Sequence, residues 1–453
     1  ITAESKTQKV VNLCQRRGFI FPAADIYGSF GGFFDYGPLG VEFKRNIVSS
    51  WWRTFVQERE DMLGLDGAVL THPRIWKASG HVDAFNDPLV ECQKCKHRFR
   101  ADHLIEKELG ESVDGVSEEK LNAFFKEHKL ACPDCKGTLS EAKNFNLMFK
   151  THVGAVANEA AAAYLRPETA QVIFANFKYL HQIGRKALPF GIAQVGRSFR
   201  NEISPRNFVF RGREFEQMEI EFFVHPEKLD ECPDFDAVAE QKALFCTESD
   251  QKAGKKGHEM TFGDAIKKKV IQTRWHAYWL AEALNWFASL GLTKLRLRQH
   301  RSDELSHYAK ETWDVEYDYP EWGFKELMGI ANRTDFDLKQ HAKESGKEMA
   351  VFDDASKQKV VPHVIEPSFG LDRQIFTLFL DAYTEKKTEA KGDANPDAKA
   401  DSAKNGAAGK TESAKEKAAD KGNPAQEEVK TILAFYPAIA PIPLAILPLM
   451  KKD

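Results

Sequence analysis

The segment that most restricts how this chain can fold runs from Gly196 to Phe223 and reads GRSFRNEISPRNFVFRGREFEQMEIEFF. Ile192 and Val195 lead into it as an apolar strand, a polar loop containing Pro205 follows, and a second strand opens near Arg213. Together these predict a long β-hairpin. Because strand side chains alternate between faces, Met218, Ile220 and Phe222 share one side of the second strand. Phe215, Gln217, Glu219 and Glu221 share the other. A row of acids beside an aromatic ring suits the floor of a cleft better than a solvated edge. Arg197, Arg200, Arg206, Arg211 and Arg213 fall within seventeen residues. Alone, these arginines read as a solvated charged loop. Interleaved with acids on a hairpin, they suggest a site that takes an anion and a cation together, since guanidinium groups grip phosphate through paired hydrogen bonds.

The chain has 453 residues, 42% of them apolar and 33 of them Phe, enough for a large core and for two to four domains. Its formal charge of -3 excludes binding nucleic acid by global charge, so such a partner needs a local basic patch. The chain opens on Ile1, and the polar Thr2–Lys9 is no signal peptide. Ile432–Met450 is free of charge over 19 residues, but Pro437, Pro441, Pro443 and Pro448 interrupt it. It is therefore expected to be a buried loop leading into a strand at Leu444–Leu449, not a membrane span. The seven cysteines are odd in number and follow no signal peptide, which points to a reducing, cytoplasmic setting and not to a disulfide framework.

Phe43, Ile47, Trp51 and Phe55 fall on one stripe of a helix predicted over Val41–Arg59, to pack on a core or on another subunit. A helix over 265–290 carries Trp275, Trp279 and Trp286. Lys294–Arg301 and Val360–Glu366 read as strands, and Leu371–Tyr383 as a helix. Arg296 and Arg298 share a face, open to ion pairing or to nucleic-acid contact. Lys386–Glu428 has no aromatic residue and no Val, Ile, Leu or Met, so it is expected to be a disordered linker. Its GAAGKT at 406–411 lacks the first glycine of a phosphate-binding loop and reads as chance composition.

FRNE at 199–202 followed by GREFEQMEIEFF at 212–223 resembles motif 2 of the class II aminoacyl-tRNA synthetases. EPSFGLDR at 366–373 resembles motif 3, and GGFFDYGPLGVEFKRNIVSSWW at 31–52 resembles motif 1 with its helix. YLRPETAQ at 164–171 and FKELMGIANRTDFDL at 324–338 resemble glycyl-tRNA synthetases in particular. The likeness covers nearly all of residues 1–385. It implies an α+β fold: an antiparallel sheet of six or seven strands flanked by helices, a zinc-knuckle-like insertion, and the truncated start of an α/β anticodon-binding domain. The implied division is 1–91 and 136–385 for the catalytic domain, 92–135 for the insertion, 386–428 for the linker and 429–453 for the truncated domain. The resemblance also implies a homodimer with the region after Pro38 at its interface.

The implied substrates are ATP with Mg²⁺, glycine and tRNA(Gly). For ATP the resemblance carries over Arg200, Asn201, Glu202, Phe210, Arg211, Gly212, Arg213, Glu214, Phe215, Glu326, Leu327, Gly370, Leu371, Asp372 and Arg373. Arg200 is implied to hold the α-phosphate, Phe215 and Arg373 to flank the adenine with Arg373 near the γ-phosphate, Glu202 to take the adenine amino group, and Glu326 to lie near Mg²⁺. Arg200 and Arg373 are the implied catalytic pair. For glycine it carries over Arg100, Glu168, Phe215, Glu216, Gln217, Met218, Glu219, Arg333, Glu366, Pro367, Ser368, Phe369 and Gly370. Taken singly, Glu168 could instead cap the helix that begins near Thr169, and Glu366 could serve a turn. A synthetase-like protein without catalysis, or a class II synthetase for another amino acid, are the competing readings. The first should lack the arginines and acids that this chain keeps together.

Cys92-Gln-Lys-Cys95 and Cys132-Pro-Asp-Cys135 each have the spacing of a zinc knuckle. Four thiolates would fill a tetrahedral site, so a zinc bound there would be structural. Two unligated dithiols are the alternative. The gap between the pairs holds a predicted helix, Glu118–His128.

Overall fold

The computed structural model describes residues 4–110, 116–306, 308–388 and 428–445. A nine-stranded sheet lies at its centre. In chain order its strands are β1 (Met62–Leu65), β2 (Phe190–Phe199), β3 (Glu214–Val224), β4 (Lys242–Cys246), β5 (His258–Thr261), β6 (Leu295–Gln299), β7 (Glu311–Tyr319), β8 (Gly323–Thr334) and β9 (His363–Gly370). Across the sheet they run β5-β4-β6-β7-β8-β9-β3-β2-β1. Neighbours are antiparallel except for β1 with β2 and β4 with β6. The sheet is thus larger than the expected six or seven strands. The short strands near its edges carry too few residues to show an alternating pattern.

The helices that bear on the site are α1 (Lys6–Arg16), α2 (Pro38–Trp52), α3 (Ala101–Leu109), α4 (Glu118–Glu127), α5 (Ala170–Gly184), α6 (Arg274–Ser289), α7 (Phe336–Ser345) and α8 (Leu371–Ala382). The expected hairpin is β2–β3, in register from Phe190 opposite Phe223 to Phe199 opposite Glu214. Phe222, and by alternation Met218 and Ile220, faces α6, where Trp275 and Trp279 lie 4.8 and 5.1 Å from the Phe222 ring. Phe223 faces α5, with Phe177 at 4.4 Å. Helices cover both faces, so the row of acids on β3 is buried and not solvated. That arrangement is costly unless each charge is paired or neutralised.

The aromatic stripe on α2 packs on this same core. Phe43, Ile47, Trp51 and Phe55 are all buried, and Trp51 and Phe55 lie 5.8 and 5.5 Å from Phe369. Regular helix ends at Trp52, short of the expected Arg59. Arg53–Gln57 form a wider turn in which the Glu58 N–H donates to Arg53 O at 2.9 Å. The stretch 265–290 is likewise two helices, Phe262–Lys267 and α6, with Lys269 at positive φ between them. Val360–Glu366 is not one strand: Gln358–Val360 pairs with Val351–Asp353, and β9 starts at His363. Pro362 lies at the break and has no N–H for the ladder. Arg296 and Arg298 on β6 are taken by tertiary ion pairs, with Glu316 at 2.6 Å and with Glu304 and Asp314 at 2.6 and 3.4 Å.

The insertion reaches beyond its cysteines. Strands Asn86–Glu91, Arg98–Arg100 and Lys143–Asn146 pair under α3 and α4, and Val90, Ala101, Ile105, Leu121 and Ala142 form a small core of their own. Two knuckles alone could not bury this apolar surface, so the flanking strands belong to the unit. Tyr383–Thr388 pairs antiparallel with Glu428–Leu433 in a second compact unit, Ala382–Ala434, so strand continues past the expected domain end at residue 385. Residues 389–427, which carry most of the expected linker and its GAAGKT, lie outside the described residues, as do 446–453. Phe435 packs 4.5 Å from Phe43 and 5.2 Å from Phe379 within the larger unit, and Ile439 is buried there. Leu444 and Ala445 are not in a strand. No helix among the described residues is long and apolar enough to cross a membrane.

Candidate active site

A cavity of about 310 Å³ opens above β3, β8 and β9, against the start of α8. It is lined by Arg200, Glu202, Val209, Phe210, Arg211, Gly212, Phe215, Glu216, Gln217, Glu326, Ser368, Gly370, Asp372 and Arg373. All of these except Val209 were expected for ATP or glycine. Motif 2 supplies the near wall, motif 3 the far wall, and Glu326 reaches in from β8. The chain leaves β9 at Gly370 and enters α8 at once, which puts Arg373 on the first helical turn. There its Nη1 lies 3.0 Å from Glu326 Oε2, and its guanidinium lies 5.1 Å from the Phe210 ring. The guanidinium of Arg200 sits 5.2 Å from the Phe215 ring, and its Nε donates to Pro167 O at 3.0 Å. Arg211 pairs with Glu202 at 2.8 Å.

The loop that holds Pro167 and Glu168 is held by a buried arginine. Arg166 donates to Arg197 O and Gly67 O, both at 2.7 Å. It fits only because residue 196 is glycine: a Cβ there would lie 2.1 Å from Arg166 Nη2.

Gln217 and Ser368 of the lining adjoin a largely buried cluster of charges. The amide of Gln217 donates to Ser368 Oγ at 3.3 Å, and Glu219 stands opposite Ser368 in the β3–β9 ladder. Arg333, at the end of β8, donates through Nη1 to Glu366 at 2.8 Å and through Nε and Nη2 to Asp337 at 2.7 and 2.8 Å. Its guanidinium also lies 3.9 Å from the Tyr308 ring. Glu168 accepts from Gln171 Nε2 at 3.1 Å and lies 3.3 Å from His81 Nε2. It therefore does not cap α5. Glu219 accepts from the Thr169 hydroxyl. Burial would raise Glu168, but His81, Arg333 and Arg200 hold its carboxyl well below the usual carboxylate range. Burial and the charge of Glu168 push Glu219 up, and burial pushes Glu366 up to about 8 against the pull of Arg333.

Other expected residues serve elsewhere. Arg100 is not at this cavity. It pairs with Asp87 at 3.0 Å and with Asp102, along a separate groove beside the insertion. Met218, Leu327, Phe369 and Leu371 are core residues, and Pro367 is buried in β9 opposite Ile330. Glu214 pairs with the exposed Arg197. Arg213 bonds Gly31 O at 2.7 Å and Glu202 O at 2.9 Å, and the Asn201 N–H donates to Leu147 O at 2.7 Å. Asp372 lines the cavity, but its carboxylate is occupied by the Tyr36 hydroxyl and by the Glu216 N–H at 2.6 Å. It thereby ties motif 1, motif 2 and motif 3 together.

The family model for the tRNA synthetase class II core domain (G, H, P, S and T) matches residues 149–386. Curated relatives match over a longer span. The glycine–tRNA ligase of Caldanaerobacter subterraneus subsp. tengcongensis is 40% identical over 452 residues, covering 98% of this chain and 80% of the relative. Those of Treponema denticola and Acetivibrio thermocellus are each 41% identical, covering 98% of this chain and 79% and 81% of the relative. The chain belongs to the glycine–tRNA ligase family of class II tRNA synthetases.

The four cysteines of the insertion converge. Cys92, Cys95, Cys132 and Cys135 place their sulfurs within 4.8 Å of one another, with Cys92–Cys135 at 3.5 Å and Cys95–Cys132 at 3.7 Å. Four sulfurs at about 2.3 Å from a tetrahedral zinc stand about 3.8 Å apart, so the spacing suits that ion. The two knuckles repeat one geometry. Lys96 N–H donates to Cys92 O and Lys136 N–H to Cys132 O, both at 2.9 Å, and both lysines have positive φ. Gly137 leaves room for the sulfurs: a Cβ there would stand 3.0 Å from Cys92 Sγ and 3.2 Å from Cys135 Sγ. His97 pairs with Asp134 at 2.6 Å and is not needed as a ligand. All seven cysteines are free of disulfides.

Reading the sequence missed Val209, Arg166, His81, Thr169, Gln171 and Asp337. Arg166 stands inside the quoted RPET, and Asp337 lies four residues beyond Arg333, so i, i+4 spacing could have signalled that pair. His81 has no sequence signal at all.

Proposed function

We propose that the protein activates glycine with ATP and transfers it to the 3′ end of tRNA(Gly). The observation that carries this reading is that the lining of the cavity adjoins a group of acids. Arg200 and Arg373 line the cavity together with Gln217 and Ser368, and Ser368 also hydrogen-bonds Glu219, which has Glu168 and Glu366 beside it. In the first step a carboxylate oxygen of glycine attacks the α-phosphorus, and the bond to the bridging oxygen of pyrophosphate breaks. No protein nucleophile is required. Arg200 neutralises charge on the α-phosphate, Arg373 grips the distal phosphates, and the aromatic rings pack the adenine. Among the cavity's carboxylates, Glu326 fits Mg²⁺ held mainly by phosphate and water, since Arg373 engages one of its oxygens and it remains partly exposed. When bound, the ion supplies further neutralisation of phosphate charge. In the second step a terminal ribose hydroxyl of tRNA attacks the glycyl carbonyl, and AMP leaves.

Selection follows from size and charge. The ammonium enters among carboxylates, beside polar Gln217 and Ser368. A larger amino acid would drive its side chain into a packed, charged wall. No smaller amino acid exists, so no editing step is needed of the kind required where substrates differ by one methylene. Exchange of labelled pyrophosphate into ATP, run with each amino acid in turn, should proceed with glycine and fall at least about a hundredfold with alanine. Equal exchange with alanine or serine would refute the reading.

The cysteine cluster is read as a structural zinc site that fastens the two knuckles to the small core under α3 and α4. Metal analysis of the purified chain should give one zinc per chain, and Cys132→Ser or Cys95→Ser should lose it. Because structural zinc contributes folding energy directly, these variants should also show faster proteolysis within 86–146. A protein free of zinc and still protease-resistant there would overturn the assignment. As a glycine–tRNA ligase the protein would act in the cytoplasm as a homodimer. The exposed Ile26, Tyr27 and Phe30 just before the motif 1 helix support a second copy on that side.

A further inference from the structure

Glu221 is the acid of the β3 row that the mechanism leaves unused. It is fully buried, and neither carboxylate oxygen has a hydrogen-bond partner among the described residues. One carboxylate oxygen each from Glu219, Glu221 and Glu366 lie within 4.8 Å of one another. The charged groups facing Glu221 are Glu366 from β9, Arg333 from the end of β8, Glu219 from its own strand and Asp337 from the first turn of α7. Arg333 directs Nη1 to Glu366 and Nε with Nη2 to Asp337, so its guanidinium is committed on both sides. Among the described residues no donor steadies a charge on Glu221. A buried ionised carboxylate without donors is strongly unfavourable, and burial with the Glu366 charge beside it drives the Glu221 carboxyl well above its ordinary range.

The proton then has one useful direction. Glu219 already accepts from the hydroxyls of Thr169 and Ser368. Glu366 has the Arg333 guanidinium on Oε1 and spare acceptor capacity on its other oxygen. We propose that Glu221 is a positioning residue for glycine: a neutral carboxylic acid behind the pocket wall that donates a hydrogen bond to Glu366 and, once the substrate ammonium draws Glu366 into its ionised form, holds that carboxylate aimed at it. The inference rests on the reading of the pocket as a glycine site. It explains how so many acids share one cavity: one of them is a hydrogen-bond donor and carries no charge. Without that donor, Glu366 is free to turn its second oxygen toward Arg333 and away from the substrate.

Two variants and a spectrum test this. Glu221→Gln keeps a neutral donor of the same shape, and the KM for glycine should stay within about threefold of the parent. Glu221→Leu removes the donor, and the KM for glycine should rise about tenfold or more while kcat and the KM for ATP change little. Parent-minus-variant infrared spectra at neutral pH should show the loss of one protonated-carboxyl C=O component in both variants, apart from any contribution of Glu366, whose own carboxyl is pushed up to about 8. If Glu221→Leu fails to fold, Glu221→Gln and the infrared band still decide. The idea is overturned if Gln raises the KM as far as Leu does, if neither raises it, or if that component persists in both variants. If the parent shows no glycine-dependent exchange, the functional reading fails instead. That outcome is distinguishable, because the band reports the Glu221 proton without turnover.

Discussion

Replacing Arg200 with alanine is expected to slow glycine-dependent ATP–pyrophosphate exchange by about 10²–10³-fold, the usual cost of removing one preorganised donor from developing charge. The side chain is placed for this role by its surroundings. Its Nε is anchored on Pro167 O, and its guanidinium plane is framed by Phe85 at 5.4 Å and Phe215 at 5.2 Å. This leaves the outer nitrogens for phosphate. Arg200→Lys should recover little, because an ammonium cannot reproduce the planar fork. Stability should change by less than roughly 1 kcal/mol, since no buried charge depends on Arg200 as its only partner. Parallel measurement of thermal unfolding separates the two effects. A variant that kept exchange within about tenfold of the parent would remove Arg200 from the phosphate site.

Arg333→Met should instead act on the fold. The guanidinium is almost wholly enclosed and carries three hydrogen bonds to two buried acids. Its removal leaves Glu366 and Asp337 without a counter-charge, which costs about 3–5 kcal/mol in comparable sites. The pH dependence has a definite sign. Burial already raises Glu366 from 4.5 to about 8 with Arg333 present, and losing the guanidinium raises it further. A group whose folded value is raised contributes stability below its unfolded value and loses it as pH rises through the folded value. Parent and variant lose this contribution alike up to about pH 8, so the deficit of Arg333→Met, read from urea midpoints, should widen as pH rises through about 8, where the parent ionises Glu366 and the variant does not. Asp337→Asn in the same chain should narrow it. A deficit that stayed flat with pH, or shrank as pH rose, would mean that unpaired carboxylates are not its cause.

The residues that touch the cavity were legible because motif chemistry is local. FRNE, GREFEQMEIEFF and EPSFGLDR each present their side chains from a single strand or strand–helix junction, so short-range alternation puts the right groups on one face. The four cysteines were legible for the same reason, since a CxxC turn sets its own sulfur spacing. Features that depend on distant partners were not. Arg100 was expected beside substrate, but Asp87, thirteen positions away and brought close by the strand pairing of the insertion, holds it elsewhere together with the neighbouring Asp102. His81 reaches Glu168 across 87 positions of chain, and nothing near either residue announces it.

What the chain's order of residues determined alone is the hairpin, its two faces, the aromatic stripe of α2 and the identity of the groups that can bind phosphate and metal. Periodicity and turn chemistry act over a few residues and need no partner. The tertiary structure decided which of those groups carry charge. Closing helices over the sheet withdrew water from Glu219, Glu221 and Glu366 at once. Only the positions of Arg333, His81 and Thr169 then settle which acids stay ionised and which must hold a proton.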